Sequence, residues 1–191
     1  MLNKLAKIYQ NPKTVFTTND LAMLWGVSDS GRLKALVAYY TKTGGLRRIR
    51  RGVYVKEGYE PKEAATSIFT PAYISFETVL REGGVIFQYY ESIFLASYLS
   101  REIVCDGQKI TVRKLKGEIL TNSDGLINKG GYWVATTERA FLDRLYLTPD
   151  YYFDNLRSIN WKECFRLVDI YQSRKLKKTL NNYYQKYAQQ K

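Results

Sequence analysis

Four guanidinium groups stand within five residues at Arg47, Arg48, Arg50 and Arg51. Packed this closely they repel one another until anions neutralise them, and their planar forks match phosphate oxygens two bonds at a time. A second basic run, Arg174, Lys175, Lys177 and Lys178, opens the last helical stretch of the chain. Cations are disfavoured at that end of a helix dipole; a phosphate surface or an acidic partner would favour them there, and the alternative is a solvated helix that packs its Tyr stripe on the domain. Both runs fit the charge of the whole chain: 191 residues with 30 Lys+Arg against 18 Asp+Glu, a net +12. The excess is uneven. Residues 1–60 carry eleven basic side chains against four acidic, residues 61–159 eleven against twelve, and residues 160–191 eight against two. Two basic ends flanking a neutral middle point to polyanion-facing surfaces.

Other chemistry is sparse. There is no histidine, which excludes Ser-His-Asp and Cys-His nucleophiles, imidazole bases and His-ligated zinc. Cys105 and Cys164 are too few for a Cys-only zinc site or a disulfide framework, and they fit a reducing compartment. No GxxxxGK[ST] or GxGxxG run offers a phosphate-cradling loop. Glu60-Pro61-Lys62 has the letters of a metal-dependent nuclease core, but Pro61 starts a helix where that chemistry needs a strand. Glu77, Glu91, Glu138 and Asp143 are the carboxylates that could meet as acid and base. Two of them fall in helix first turns, where a structural role is enough. The expectation is a protein that is not an enzyme and needs no metal and no cofactor. SIFLASYL (92–99), the longest apolar run, is strand length and too short for a membrane span, and no signal-like apolar core follows Met1. A cytoplasmic protein with no membrane partner is expected.

The elements around the arginines explain what would present them. A leading helix over about 2–10 breaks at Asn11-Pro12. In VFTTNDLAMLWGV, Thr17 or Thr18 can cap a helix with Asn19 and Asp20 in its first turn and a Leu21, Leu24, Trp25 stripe. Gly26 stops that helix, Val27 plugs the turn, and Ser28 can cap the next, where Leu33, Leu36, Val37 and Tyr40 face inward. Two short helices across a Gly-containing turn read as a helix-turn-helix, and Ser30, Arg32, Lys34 and Ala38 are left on the outer face of the second. After Gly44-Gly45, Leu46 to Arg50 and Val53 to Lys56 form a tight hairpin turning at Arg51-Gly52, a basic wing beside the reading helix. Thr18, Ser28, Ser30, Arg32, Lys34, Arg47, Arg48, Arg50 and Arg51 are therefore the candidate DNA contacts, joined by Arg174, Lys175, Lys177 and Lys178. Base contacts from such a helix would specify sequence, and the arginines would hold backbone phosphate.

Beyond residue 60, Pro61 opens a short helix and Pro71 closes the segment. Ser75 can cap a helix carrying Phe76, Val79 and Leu80, ended by Gly83-Gly84. SIFLASYL, REIVC, KITVRKLK and YWVA (132–135) read as strands, with Asp106-Gly107 as a two-residue hairpin turn. Thr136 or Thr137 caps a helix with Phe141, Leu142 and Leu145 inside and Arg139 and Asp143 as an exposed i, i+4 pair. Trp161, Cys164, Phe165, Val168 and Tyr171 share one helical face, and Leu176, Leu180, Tyr183, Tyr184 and Tyr187 another. The expected fold is α+β, a winged helix-turn-helix over 1–60 followed by a mixed α+β domain over 61–191 that ends in basic helices.

The order of these segments resembles the AbiEi antitoxins of bacterial type IV toxin–antitoxin and phage-resistance (abortive infection) systems. The matching motifs are Arg51-Gly52-Val53-Tyr54 at the end of the wing, Tyr73-Ile74-Ser75-Phe76-Glu77-Thr78-Val79-Leu80 with Gly84 and Ile86, and Ala135-Thr136-Thr137-Glu138-Arg139-Ala140-Phe141-Leu142-Asp143. Phe141 stands where the family usually has Leu. The likeness runs over about residues 14–147. It implies an N-terminal domain that binds double-stranded DNA and represses its own operon, usually at inverted repeats. It also implies a C-terminal domain that counteracts a nucleotidyltransferase-like toxin, with no catalytic residues to carry over. The alternative is an interaction protein that neutralises an acidic toxin by direct contact without sequence-specific DNA binding.

Overall fold

The Asn3 side chain accepts a hydrogen bond from the Leu5 amide and starts helix α1 (Lys4–Gln10), which ends at Asn11. The computed structural model describes residues 3–187 and continues with strand β1 (Val15–Thr17). Helix α2 (Thr18–Trp25) begins from a reciprocal cap: the Thr17 hydroxyl accepts from the Asp20 amide, and the Asp20 carboxylate accepts from the Thr17 amide at 2.8 Å. Two otherwise unmatched donors are satisfied at once, and a negative charge sits on the positive end of the helix. Gly26 closes α2 at φ +63°, a conformation that favours glycine.

Helix α3 (Ser30–Lys42) starts from Asp29 and not, as expected, from Ser28: the Asp29 carboxylate accepts from the Arg32 amide at 2.6 Å. A charged acceptor at that position is the better match to the helix dipole. Leu33 and Val37 are buried, with Leu36 and Tyr40 half-buried beside them, so the apolar stripe lies where its spacing puts it. Strands β2 (Arg47–Arg50) and β3 (Val53–Val55) pair antiparallel around Arg51-Gly52. Strand β1 adds to the other side of β3, giving the order β1-β3-β2.

The rest of the chain builds a larger sheet. Helix α4 (Pro61–Ile68), strand β4 (Ala72–Ile74) and helix α5 (Phe76–Glu82) lead into strands β5 (Ile93–Ser97), β6 (Arg101–Cys105) and β7 (Gln108–Lys114). Helix α6 (Gly117–Thr121), strands β8 (Leu126–Asn128) and β9 (Trp133–Ala135), and helices α7 (Thr137–Leu147), α8 (Trp161–Leu167) and α9 (Arg174–Tyr187) follow, with a 3-10 turn at Val168–Tyr171. The six strands run in the order β6-β7-β5-β4-β9-β8, with both parallel and antiparallel neighbours. The architecture is mixed α+β with two sheets. Strands β1, β4 and β8 and helix α6 were not expected from the sequence; at three to five residues they are too short to show a period. No helix among the described residues is long and apolar enough to cross a membrane.

Three further expectations are corrected. Arg139 and Asp143 are not on the surface: both are 0% exposed. The Asp143 carboxylate lies 3.6 Å from Arg139 Nε and accepts from Ser75 Oγ (2.6 Å), Tyr171 Oη (2.6 Å) and Tyr73 Oη (3.0 Å). The Arg139 fork donates to the Asp124 and Ile119 carbonyls at 2.8 and 2.7 Å. Ser75, expected as a cap, makes no cap bond because its hydroxyl goes to Asp143. Phe165 and Tyr184 are exposed, although each keeps an edge-to-face contact with the other. Burial pushes the Asp143 carboxyl above its ordinary range, against the pull of Arg139 and the three hydroxyls.

Packing continues across residue 60. Val15, Val53 and Val55 form one buried cluster with Ala64 of α4. The buried Glu63 carboxylate accepts from the Thr14 amide (2.9 Å) and hydroxyl (2.6 Å), and the Glu60 amide donates to Thr14 Oγ1.

Candidate nucleic-acid interface

A groove of about 610 Å³ opens between α3 and the β2–β3 hairpin. Its polar lining comes from Thr18 at the start of α2, Lys34, Thr41 and Lys42 on α3, and Arg48, Arg51 and Gly52 on the hairpin. Leu33, Val37, Ala38 and Tyr54 form its floor and walls. The Thr18 amide donates to the Gly52 carbonyl at 3.0 Å, which ties the hairpin tip to α2. Gly52 itself has φ +79°, as a tight hairpin turn demands. Lys34, Lys42, Arg48 and Arg51 thus face one concavity without an acidic side chain in its lining. Among the described residues none of the four forms an ion pair. Such a site has the electrostatics of a polyanion groove, and its walls are a helix and a β-ribbon, shapes that enter or flank the major groove of a duplex.

The structure brings together Thr18, Lys34, Arg48 and Arg51 from the expected set and adds Lys42 and Thr41, which sequence reasoning missed. Lys42 lies two turns after Lys34, close to a spacing that puts both on one helix face, so the signal was there to be read. Ser28, Ser30 and Arg32 are exposed at the start of α3, outside the groove lining. Arg50 is exposed, and its carbonyl accepts from Arg48 Nε at 3.3 Å.

Arg47 is placed elsewhere. Its Nη1 and Nη2 donate to the two oxygens of Asp106 at 2.5 and 2.6 Å, and its guanidinium lies 5.6 Å from the centre of the Tyr59 ring. The Tyr59 hydroxyl also donates to Asp106, at 2.6 Å. Hydrogen bonds from Arg47 and then Tyr59 hold the Asp106 carboxyl down at about 2. Burial, helped by Asp106, pushes the Tyr59 phenol up to about 12, and the bond to Asp106 keeps the Arg47 guanidinium charged.

Arg174, Lys175, Lys177 and Lys178 are exposed on the first two turns of α9, which Leu176 and Leu180 anchor to the core. The Lys177 ammonium pairs with Asp169. None of the four lines the groove. The four carboxylates weighed as acid and base do not converge: Glu77 pairs with Arg113 and Arg144, Asp143 with Arg139 and Glu91 with Lys109, while Glu138 accepts from the Asn160 amide at 3.2 Å. Glu60 is the cap of α4 and accepts from the Lys62 amide. Among the described residues no cluster of three His, Cys, Asp or Glu side chains could hold a metal ion. Comparison with protein-family models and with curated proteins finds no match to this chain.

Proposed function

We propose that the chain is a DNA-binding antitoxin and transcriptional autorepressor, with α1 to β3 acting as a winged helix-turn-helix. The observation that carries this reading is the groove between α3 and the hairpin, where Lys34, Lys42, Arg48 and Arg51 converge without carboxylate partners. In this reading α3 enters the major groove through Ser30, Arg32 and Lys34, and Arg48 and Arg51 hold phosphate. The antitoxin part rests on the resemblance of three motifs to the AbiEi antitoxins. Two of those motifs supply Tyr73, Ser75, Arg139 and Asp143, which meet in a single buried network. Motif residues that depend on one another in space support the likeness, and they do so as fold determinants.

The test is duplex binding followed by fluorescence anisotropy across salt concentrations, using DNA from upstream of the reading frame and a random duplex. Log K should fall with log salt at about 0.9 per phosphate neutralised. Replacing Arg48 and Arg51 by Ala should flatten that slope by up to about 1.8 on both duplexes. An unchanged slope would remove the hairpin from the interface. A second reading, direct neutralisation of a toxin, is favoured by one observation: Phe87, Tyr89 and Tyr152 are 69, 76 and 72% exposed. Exposed aromatics are what protein interfaces concentrate. Co-purification of a co-expressed toxin, lost on replacing Phe87 and Tyr89, would support it.

A further inference from the structure

We propose that the tip of the β6–β7 hairpin is a strut that fixes the β2–β3 hairpin against α3, with Asp106 and Tyr59 as positioning residues and Arg47 as the attachment point. The proposal rests on the DNA-binding reading for its functional consequence, and on geometry alone for the strut itself.

Strand β2 presents its residues to two different neighbours. Arg48 lines the groove toward α3, whereas Arg47 and Ile49 meet the C-terminal part of the chain. Ile49 packs against both the large core and the Val15–Val53–Val55–Ala64 cluster, and its carbonyl accepts from Cys105 Sγ at 3.7 Å. Arg47, two residues earlier, is held bidentately by Asp106. The strand is therefore fastened at two points to adjacent residues, Cys105 and Asp106, at the end of β6. A two-point fastening fixes rotation as well as position, which a single contact would not. The fastening tip is itself stiff: Asp106 (φ +53°) and Gly107 (φ +78°) form a two-residue turn with both residues left-handed. Tyr59 braces the pair from the chain that leaves β3, through its hydroxyl to Asp106 and its ring beneath Arg47.

The functional consequence concerns the arginines on the other side of the strand. The angle at which Arg48 and Arg51 meet phosphate is set by a contact outside the groove, made by the C-terminal part of the chain. An arginine that already has both forks on a carboxylate is not a phosphate ligand in this arrangement. By reciprocity, DNA seated in the groove must also favour the fastened position of the β6–β7 tip.

The experiment uses the full chain with Arg47→Met, Asp106→Asn and the double variant. Amide hydrogen exchange over β2–β3 reads the strut directly. Binding to a random duplex and to a duplex recovered by in vitro selection reads the consequence. Each single variant should speed exchange in β2–β3 and weaken binding to the selected duplex by up to about fivefold, the upper end for an exposed ion pair. The salt slope should stay at its wild-type value, and the double variant should be no worse than either single one. Tighter binding by Asp106→Asn, or a slope reduced by one phosphate in Arg47→Met, would overturn the proposal and make Arg47 a masked phosphate ligand. Unchanged exchange over β2–β3 would overturn it as well. If the wild-type chain bound neither duplex, the DNA reading would fail, and the exchange measurement would still decide the strut.

Discussion

Arg48 and Arg51 stand on the hairpin with no carboxylate beside them, whereas Arg139 lies fully buried with Asp143 at 3.6 Å and two carbonyls on its fork. The same side chain does opposite work in the two regions. In the groove, like charges are held near one another on the surface, where water and salt keep their repulsion small. In the core, a charge out of water is tolerable only when its hydrogen bonds and its counter-ion are supplied. Exposed unpaired charge is thus available to a partner, and buried paired charge is committed to the fold. Arg47 stands between these cases, exposed but already paired.

Breaking the buried pair should have the largest effect. Asp143→Ala leaves Arg139 without its anion and frees three hydroxyls, so unfolding stability should drop by about 3–5 kcal/mol. Denaturant titration checks this, and a drop below about 1 kcal/mol would mean that the network is not what holds α7 to β4. Replacing Lys34 and Lys42 by Ala makes the opposite comparison. Stability should stay within about 0.5 kcal/mol of wild type, while the salt slope of duplex binding falls by up to about 1.8. Loss of folding in that variant would erase the division between the two regions.

The smallest effect is that of pH. No histidine titrates between pH 6 and 8, so duplex affinity should be flat across that window. The Asp106 carboxyl is held at about 2, below the ordinary carboxylate value near 4. A lowered native value means that the tie to Arg47 contributes fully above the ordinary value and is lost as pH falls from about 4 toward 2. Burial moves Asp143 the other way, so its contribution carries the opposite sign: the native state holds that proton more tightly, and stability falls as pH rises through the raised value. Protection of the β2–β3 amides, taken relative to the intrinsic exchange rate at each pH, should stay level from neutral pH down to about 4 and fall only below it.

Much of the first sixty residues was legible, because caps, a left-handed glycine and apolar spacing are local signals that act within a few residues. Thr17, Gly26, Leu33 and Val37 all do what their positions suggest. The basic hairpin was legible for the same reason. Arg47 was not, because its partner is 59 residues away and four arginines in a row look alike until strand geometry sorts them. Arg139 and Asp143 were misplaced by a rule that holds for solvated helices: an i, i+4 pair favours a helix wherever it sits, and nothing in the spacing says that both faces of α7 are covered. Short strands such as β4, pinned by neighbours on both sides, carry no period of their own.

Composition and order along the chain determined the uneven charge, the absence of imidazole chemistry, and the helix–helix–hairpin succession that concentrates cations near residue 50. These are properties of residue type and short-range spacing, and no tertiary contact can change them. Only the tertiary structure decided which cations are free. It turned Lys34, Lys42, Arg48 and Arg51 toward one groove, gave Arg47 to Asp106, and sealed Arg139 inside, because free charge depends on which long-range partner and how much water each side chain meets.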